Sequence, residues 1–304
     1  MTFRHITDIA ESTPTKIVLT VVDGLGGLLH PKYGKSELEA ANLPNLRALA
    51  SESVLGLTDP VAPGVTPGSG PGHLALFGYD PQEYPIKRGV MEALGIGLTL
   101  KPGEVATRGN FCTIDSKGNV TDRRAGRIPS EEAAPLVAKL NEITVDGAEV
   151  SVYPVKEHRI VVIFKGKGLD DEVTETDPQK TGVPPLEVRP LRPQAEKMAR
   201  IANQFSAKAK RVLAGQPRGN MALLRGFSQL PHVPSMAERY KLKAAAIAAY
   251  PMYRGLSMIV GMRIIVTGAT FADECETLAK HWQEHDFFYI HFKPADAAGE
   301  DGDF

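Results

Sequence analysis

The stretch TKIVLTVVDGLGG, residues 15–27, predicts the fold class of this protein. A short run of β-branched and other apolar residues is typical of a strand that is buried on both faces, and such strands belong to parallel sheets covered by helices. The run ends at Asp23, and a glycine-rich turn follows it. We therefore expect an α/β domain that opens with this strand.

Segments later in the chain repeat this pattern. Residues 44–53, PNLRALASES, predict a helix with a proline in its first turn. The runs NMALLRG, KLKAAAIAAY, RIIVTG and DFFYIHF are typical of buried strands, and helical stretches such as TFADECETLAKHWQEH lie between them. The sequence therefore predicts an α/β fold with a doubly wound, mostly parallel sheet.

Residues 105–185 have a different pattern. The strands RGNFCTID, EVSVYPV and RIVVIF and the helix PSEEAAPLVAKLNEI follow one another closely. This succession predicts an inserted, smaller α+β domain. The predicted domains are residues 1–104 plus 186–304 for the sheet domain and residues 105–185 for the insert. Behind Pro193, apolar residues at helical spacing predict a helix that resumes the sheet domain.

Composition and charge exclude several classes of partner. Lys and Arg number 35 and Asp and Glu number 36, so the formal net charge of -1 supplies no global field for nucleic acid or a membrane surface. The two cysteines form no CxxC pair, the start is polar, and Arg263 interrupts the most apolar late stretch. We expect a cytoplasmic enzyme that acts on a small molecule. No pattern in the sequence indicates an oligomeric state.

The segment GVTPGSGPGHLALFGYDP, residues 64–81, surrounds Ser69 with glycines and prolines. Such a cluster indicates a backbone in special conformations or one that another group approaches closely. The segment matches neither GxxxxGK[ST] nor GxGxxG, and in DGLGGLL a leucine, Leu29, replaces the third glycine of a dinucleotide motif. An exposed loop is the alternative interpretation.

Acidic side chains follow the first and the last predicted strands. Asp23 ends the first, and Asp296, Glu300, Asp301 and Asp303 follow the last. Ligands of open α/β sheets bind beyond the carboxyl ends of strands, and carboxylates there suit divalent metal ions that could activate a serine hydroxyl. An ordinary turn at Asp23 and a solvated acidic tail are the alternatives.

A set of ordered blocks between Lys16 and Phe304 resembles a known family. The blocks are VVDGLGG, LPNLRALA, VTPGSGPGHLALFGYDP, KRGVMEALGIG, RGNFCTID, DRRAGRIP, AAYPMYRGL and HFKPADAAGEDGD. Together they resemble the archaeal-type cofactor-independent (2,3-bisphosphoglycerate-independent) phosphoglycerate mutases of the alkaline phosphatase superfamily. The resemblance implies interconversion of 3-phosphoglycerate and 2-phosphoglycerate in glycolysis and gluconeogenesis, through a phosphoserine intermediate and without 2,3-bisphosphoglycerate.

The resemblance also implies the catalytic centre. Ser69 is expected to be the nucleophile, and Asp23, Ser69, Asp296 and Glu300 are expected to hold two divalent metal ions. Glu300 stands where many relatives have a histidine, so a site with fewer nitrogens should favour Mn²⁺, with Mg²⁺, Co²⁺ or Zn²⁺ as alternatives. Apart from the resemblance, His73 is expected to be an orienting or helix-start histidine and not a ligand.

Guanidinium groups suit a substrate that carries a carboxylate and a phosphate. Arg124 and Arg127 of DRRAGRI and Arg225 of LLRG are the predicted substrate-binding residues, with Arg108 and Arg254 as further candidates. Closure of the insert over the sheet domain is expected to exclude water, which would otherwise hydrolyse the phosphoserine.

Relatives of this family continue past the AGEDGD block to further aspartate and histidine ligands. We therefore expect the chain to be C-terminally truncated at Phe304, with weak metal binding and no mutase turnover of its own. Two alternatives to the mutase are a related metal-dependent phosphoryl-transfer enzyme, such as a phosphatase or a homoserine kinase-like protein, and a catalytically incompetent chain that binds phosphate ligands.

Overall fold

The computed structural model describes residues 6–304, and the chain forms two compact units. The first, called the split unit below, consists of Met1–Glu83, described from residue 6, and Val233–Phe304. The second, called the inserted unit, is Tyr84–His232. The protein is a mixed α/β protein, because the split unit contains a parallel sheet and the inserted unit an antiparallel one.

Helices and strands alternate through most of the described chain. The strands are β1 (Ile17–Val22), β2 (Val105–Ile114), β3 (Val120–Asp122), β4 (Glu149–Pro154), β5 (Arg159–Lys165), β6 (Met221–Ser228), β7 (Ala244–Ala248), β8 (Arg263–Ile265) and β9 (Phe287–Phe292). The α-helices are α1 (Ile6–Ile9), α2 (Glu37–Ala40), α3 (Pro44–Ser51), α4 (Ser69–Leu76), α5 (Arg88–Gly95), α6 (Ser130–Asn141), α7 (Glu196–Val212), α8 (Met236–Tyr240), α9 (Pro251–Ile259), α10 (Phe271–His281) and α11 (Pro294–Asp301). Short 3₁₀ turns span Ala125–Arg127, Pro193–Ala195 and Trp282–Glu284.

The split unit is built on a parallel sheet with the strand order β1-β9-β7-β8. Every residue of β7 is buried, and Ile247 packs with Phe288 and Ile290 of β9 in an apolar cluster. The predicted strands at both ends of the chain and the predicted helix α3 are confirmed. The sheet places the carboxyl ends of β1 and β9 side by side, with Val22 opposite Phe292.

The prediction that β1 is buried on both faces is wrong, because none of its residues is buried. Among the described residues β1 has one neighbouring strand, β9, so it lies at an edge of the sheet. Ile17 and Val18 are accordingly 49% and 39% exposed. An apolar run indicates a strand, but its place in the sheet depends on tertiary pairing.

The inserted unit is built on an antiparallel sheet in which β2 pairs with β3, β5 and β6, and β5 pairs with β4. Helices α6 and α7 contribute to its core, where Phe164 of β5 meets Phe205 of α7 edge-on at a centroid distance of 5.7 Å. The predicted apolar face of α7 is buried, since Met198, Ile201 and Phe205 are each 0% exposed.

The inserted unit extends beyond the predicted insert, residues 105–185, at both ends. The segment NMALLRG was predicted to return to the parallel sheet, but it forms β6, which pairs antiparallel with β2. Helix α5 joins the same unit: a Cβ at Gly89 would lie 2.1 Å from the carbonyl oxygen of Ala106 in β2, so only glycine permits this close packing. A buried-strand pattern does not specify which sheet the strand joins.

Within residues 6–304 no helix combines the length with the apolar character that crossing a membrane requires.

Candidate active site

The structure brings Asp23 and Asp296 together at the carboxyl edge of the parallel sheet. Asp23 follows β1, and its N–H donates to the carbonyl of Phe292 at the end of β9, with an N···O distance of 3.0 Å. Gly24 has a φ of +76°, and a Cβ there would lie 2.3 Å from the Cα of Asp296. Glycine at this turn therefore allows the start of α11 to approach Asp23 directly.

A lysine lies between these two carboxylates. The Nζ atom of Lys293 is 3.4 Å from Oδ2 of Asp23 and also donates to Oδ2 of Asp296. Burial opposes the charge of Lys293, but the bond to Asp296 and the charge of Asp23 raise the pKa of its ammonium above the ordinary value. Burial acts against ionised Asp23 as well, yet Tyr253 and Lys293 lower the pKa of its carboxyl. Asp23 is thus held ionised beside a charged lysine.

Ser69 is the first residue of α4 and is exposed. Its position at a helix N-terminus leaves N–H groups nearby that are suited to an anion. Nδ1 of His73, one turn later, lies 2.9 Å from the carbonyl oxygen of Ser69, so this nitrogen carries the proton and donates. The orienting role of His73 stays a prediction.

Tyr253 contacts Asp23, and no motif in the sequence indicated this residue. Its hydroxyl donates to Oδ2 of Asp23 at 2.7 Å, and the side chain is 1% exposed. Burial and the bond to Asp23 raise the pKa of the phenol, whereas Lys293 and a hydrogen bond with the Ser69 side chain act to lower it. The available signal was its place shortly after β7, because the carboxyl ends of parallel strands share one edge of the sheet.

His291 of β9 is a second residue that sequence reasoning missed. It is 1% exposed, stacks on Tyr253 with ring centroids 3.5 Å apart, and has no hydrogen-bond partner on either ring nitrogen among the residues described. Its Nε2 lies 3.4 Å from Oδ2 of Asp23. Burial and the neighbouring His73 lower the pKa of His291 to about 4, although Asp23 acts in the opposite direction. The imidazole is therefore neutral at physiological pH.

These donors are chemically suited to a divalent cation. Carboxylates and a neutral imidazole with unpaired nitrogens are ligands of Mn²⁺, Mg²⁺ and Zn²⁺ in proteins. Within the described part of the chain, however, no three His, Cys, Asp or Glu side chains converge as a ready ligand set. Instead, the ammonium of Lys293 lies between Asp23 and Asp296.

Glu300 is the one predicted metal ligand that the structure does not bring into this network. It lies one helical turn after Asp296 in α11 and is exposed. Its carboxylate forms no hydrogen bond or ion pair with the side chains of residues 6–304.

The three predicted substrate arginines line one cavity of the inserted unit. This cavity, called the arginine cavity below, has a volume of about 570 Å³. Arg254, a further candidate, belongs to α9 of the split unit instead. The lining residues are Arg88, Arg108, Asn110, Arg123, Arg124, Arg127, Lys156, Glu157, His158, Arg159, Gln179 and Arg225.

A strained turn holds two of these arginines. Ala125, Gly126 and Arg127 have φ values of 49°, 65° and 53°, which is the left-handed region that non-glycine residues rarely adopt. The Asp122 carboxylate stabilises the turn by accepting the N–H groups of Arg124 and Gly126 at 2.8 and 2.6 Å. Such strain is typical of functional sites, because a relaxed loop would point its side chains elsewhere.

Carboxylates balance only part of the charge in the arginine cavity. Asp177, whose side chain is 0% exposed, accepts two hydrogen bonds from Arg123 at 3.0 and 2.7 Å and lies 3.6 Å from Arg225. Glu175 lies 3.3 Å from Arg225, and Glu92 lies 4.0 Å from Arg108. Among the described residues no carboxylate lies within 4.0 Å of the charged side-chain groups of Arg88, Arg124, Arg127, Lys156 and Arg159, and all of these except Arg159 are exposed.

Comparisons with known proteins identify the family. A sequence model of the 2,3-bisphosphoglycerate-independent phosphoglycerate mutases matches residues 50–218. The chain is 50% identical to a probable enzyme of this name from Thermus thermophilus over 307 residues, covering 99% of this chain and 76% of the relative. It is 52% identical to one from Thermotoga maritima over 303 residues, covering 99% and 75%.

Solved structures agree with this match. The cofactor-independent phosphoglycerate mutase from Thermoplasma acidophilum has a TM-score of 0.72 at 30% sequence identity, covering 91% of this chain and 78% of that one. The chain belongs to the 2,3-bisphosphoglycerate-independent phosphoglycerate mutase family. The family predicted from the sequence is confirmed.

Proposed function

We propose that this protein interconverts 3-phosphoglycerate and 2-phosphoglycerate through a phosphoserine at Ser69. The observation that carries the proposal is the exposed Ser69 hydroxyl at a helix N-terminus, in the same unit as the hydrogen-bonded pair Tyr253 and Asp23. Membership of the family supports it. In this proposal the split unit is an alkaline phosphatase-like, doubly wound metal-binding domain, and the inserted unit binds substrate.

Ser69 acts as the nucleophile in the first step. Its Oγ forms a bond to phosphorus while the bond from phosphorus to the glycerate oxygen breaks, and the glycerate hydroxyl receives the proton. In the second step the neighbouring glycerate hydroxyl forms a bond to phosphorus while the bond from phosphorus to Oγ of Ser69 breaks, and the serine oxygen receives the hydroxyl proton. The N-terminus of α4 stabilises the negative charge of the phosphoryl group in both steps. Neither step consumes water or 2,3-bisphosphoglycerate.

Asp23, Ser69, Asp296 and Glu300 would hold two divalent ions, with Mn²⁺ preferred and Mg²⁺, Co²⁺ or Zn²⁺ as alternatives. When bound, such ions lower the pKa of the serine hydroxyl and shield the phosphate charge. Tyr253 holds Asp23 in place, and Arg124, Arg127 and Arg225 bind the anionic groups of the substrate. We also propose a cytoplasmic protein with a small-molecule partner and no nucleic-acid or membrane partner.

Phosphorus NMR of the purified protein with 3-phosphoglycerate and Mn²⁺ tests this function. Under this proposal the 2-phosphoglycerate signal appears, contrary to the expectation above that residues 1–304 have no mutase turnover of their own, and mass spectrometry finds a phosphoryl group on the peptide that contains Ser69. Ser69→Ala should abolish both, whereas Ser51→Ala, a matched change at the end of α3, should abolish neither. Release of inorganic phosphate alone would identify a phosphatase, and phosphorylation of homoserine by ATP would identify a kinase. Either result would overturn the mutase.

A further inference from the structure

His291 lies in the interior of the parallel sheet, close to Asp23. Its strand, β9, has neighbours on both sides, so the backbone of His291 is held between Val21 of β1 and Ala248 of β7. The other residues of β9 are Phe, Tyr and Ile. The strand therefore carries one imidazole among aromatic and aliphatic side chains.

This buried imidazole lacks the hydrogen bonds that a buried polar group normally forms. Neither of its ring nitrogens has a hydrogen-bond partner within residues 6–304. Burying a polar group without hydrogen bonds destabilises the folded state, whereas an apolar ring of similar size carries no such cost. The nitrogens of His291 therefore point to a role beyond packing.

His291 contacts both partners of the hydrogen bond between Tyr253 and Asp23. Its ring stacks on the Tyr253 ring, with centroids 3.5 Å apart and an angle of 25° between the planes. Its Nε2 lies 3.4 Å from Oδ2 of Asp23, the same oxygen that accepts the Tyr253 hydroxyl at 2.7 Å. The stack fixes the plane of the imidazole, and with it the direction in which Nε2 points.

Electrostatics specify which nitrogen of His291 carries the proton. A bare Nε2 would turn its lone pair toward the negative charge of Asp23, whereas an N–H group there is attracted to that charge. Nε2 is therefore the protonated nitrogen of the neutral ring, and Nδ1 is bare. The Nε2–H group of β9 and the phenol of α9 then act on the same carboxylate oxygen from two separate elements.

We propose that His291 is a positioning residue of the candidate active site, whose Nε2–H group holds the Asp23 carboxylate in the orientation that phosphoryl transfer requires. This role rests on the proposed function. The side chain of His291 is buried and does not reach substrate, so it acts through Asp23. A strand with neighbours on both sides gives a rigid support for such a group, and groups of this kind orient the residues that do the chemistry.

Nitrogen-15 NMR of the wild-type protein, with labelled histidine and a metal chelator present, tests the tautomer without turnover. We expect a neutral Nε2–H imidazole whose signals disappear in His291→Phe. An Nδ1–H tautomer at His291 would overturn the proposal, because a bare Nε2 does not hold a carboxylate.

Two substitutions distinguish positioning from packing. His291→Gln keeps an N–H donor and loses the ring, whereas His291→Phe keeps a ring and loses the donor. We expect kcat to fall less than about threefold in His291→Gln and at least about tenfold in His291→Phe, with KM for 3-phosphoglycerate changed less than about twofold in both. A side chain that only fills space predicts the reverse order of kcat. That reverse order, or an effect confined to KM, would overturn the proposal.

A double-mutant cycle on unfolding by urea gives a second measurement that is independent of activity. Tyr253→Phe should lower the folding equilibrium constant more than about tenfold in the wild-type protein but less than about threefold in His291→Phe, because the carboxylate that accepts the phenol is no longer held there. Equal losses in the two backgrounds would show that His291 does not hold Asp23.

The control variant is His232→Gln, at an exposed histidine, which should change neither kcat nor the cycle. Circular dichroism shows that each variant is folded. Failure of the proposed function is a separate result: absence of mutase turnover in the wild-type protein would refute the mutase, while the tautomer and the double-mutant cycle would still show whether His291 holds Asp23.

Discussion

The two sites of this protein balance their charges in opposite ways. At the edge of the parallel sheet, Asp23 and Asp296 share the ammonium of Lys293, so each charge has a partner within the chain. In the arginine cavity, Asp177 and Glu175 pair with Arg123 and Arg225, and other cations have no carboxylate nearby among residues 6–304. The first site is suited to exchanging one cation for another, and the second to receiving anions.

The largest expected effect is the fall in kcat/KM when an arginine that binds the anionic substrate in the arginine cavity is replaced. Arg124→Ala or Arg127→Ala should lower kcat/KM for 3-phosphoglycerate by about 30-fold to 1,000-fold, equivalent to about 2–4 kcal/mol, because charge-assisted bonds to the substrate are lost. Steady-state kinetics with enolase-coupled detection measures this change. Unchanged kcat/KM in both variants would show that the cavity is not the substrate site, and Arg200→Ala serves as the control.

A smaller effect is expected at the bond between Tyr253 and Asp23. Tyr253→Phe leaves the Asp23 carboxylate without its 2.7 Å donor and should lower the free energy of unfolding by about 1.5–3 kcal/mol, the usual range for a hydrogen bond to a charged group. Urea denaturation measures the change. Tyr250→Phe, at a neighbouring residue that is 47% exposed, should cost less than about 0.5 kcal/mol. Equal free energies of unfolding for the two variants would show that the hydrogen bond between Tyr253 and Asp23 does not stabilise the protein.

If a divalent ion replaces the Lys293 ammonium between Asp23 and Asp296, removal of that ammonium should strengthen the binding of the metal ion. Lys293→Gln removes the ammonium that lies between Asp23 and Asp296, so an added divalent ion no longer has to displace it. We expect Mn²⁺ to bind about tenfold more tightly, or about 1.4 kcal/mol, in isothermal titration calorimetry. Lys280→Gln, at a residue whose side chain is 71% exposed, should leave Mn²⁺ binding unchanged. Weaker binding by Lys293→Gln would mean that the lysine supports the metal instead of competing with it.

The smallest expected effect concerns the pH dependence of stability. Burial lowers the pKa of His158 in the folded protein, and Arg159, Arg124 and Arg108 lower it further, although Glu157 opposes this. Because the unfolded state takes up the proton first, stability should be greatest above about pH 6.5 and should fall as the pH drops below that value. Urea denaturation of wild type and His158→Gln measures the difference, which should amount to less than about 1.4 kcal/mol per pH unit. If the free energy of unfolding depends on pH identically in wild type and His158→Gln, His158 is not held neutral in the folded protein.

Local patterns were sufficient for most elements of the fold. The apolar runs at residues 17–22, 244–248 and 287–292 became strands, and the proline-led segment at 44–51 became a helix. These features depend on nearest neighbours in the chain, namely β-branched residues, helical periodicity and proline in a first turn. The sequence did not specify that β1 lies at an edge or that β6 joins the antiparallel sheet, since both depend on pairing between distant segments.

The candidate site likewise combines features that the sequence determined with features that only the tertiary structure decided. By itself the sequence determined the family, through Ser69 in its glycine-rich segment and the blocks around Asp23 and Asp296, because these residues stand in short, ordered motifs. The tertiary structure alone decided that Lys293 lies between the two carboxylates and that Tyr253 donates to Asp23. Parallel pairing of β1 with β9 joins Ile17 to Phe287 and Val22 to Phe292, from opposite ends of the chain, and no local pattern encodes which side chains then meet.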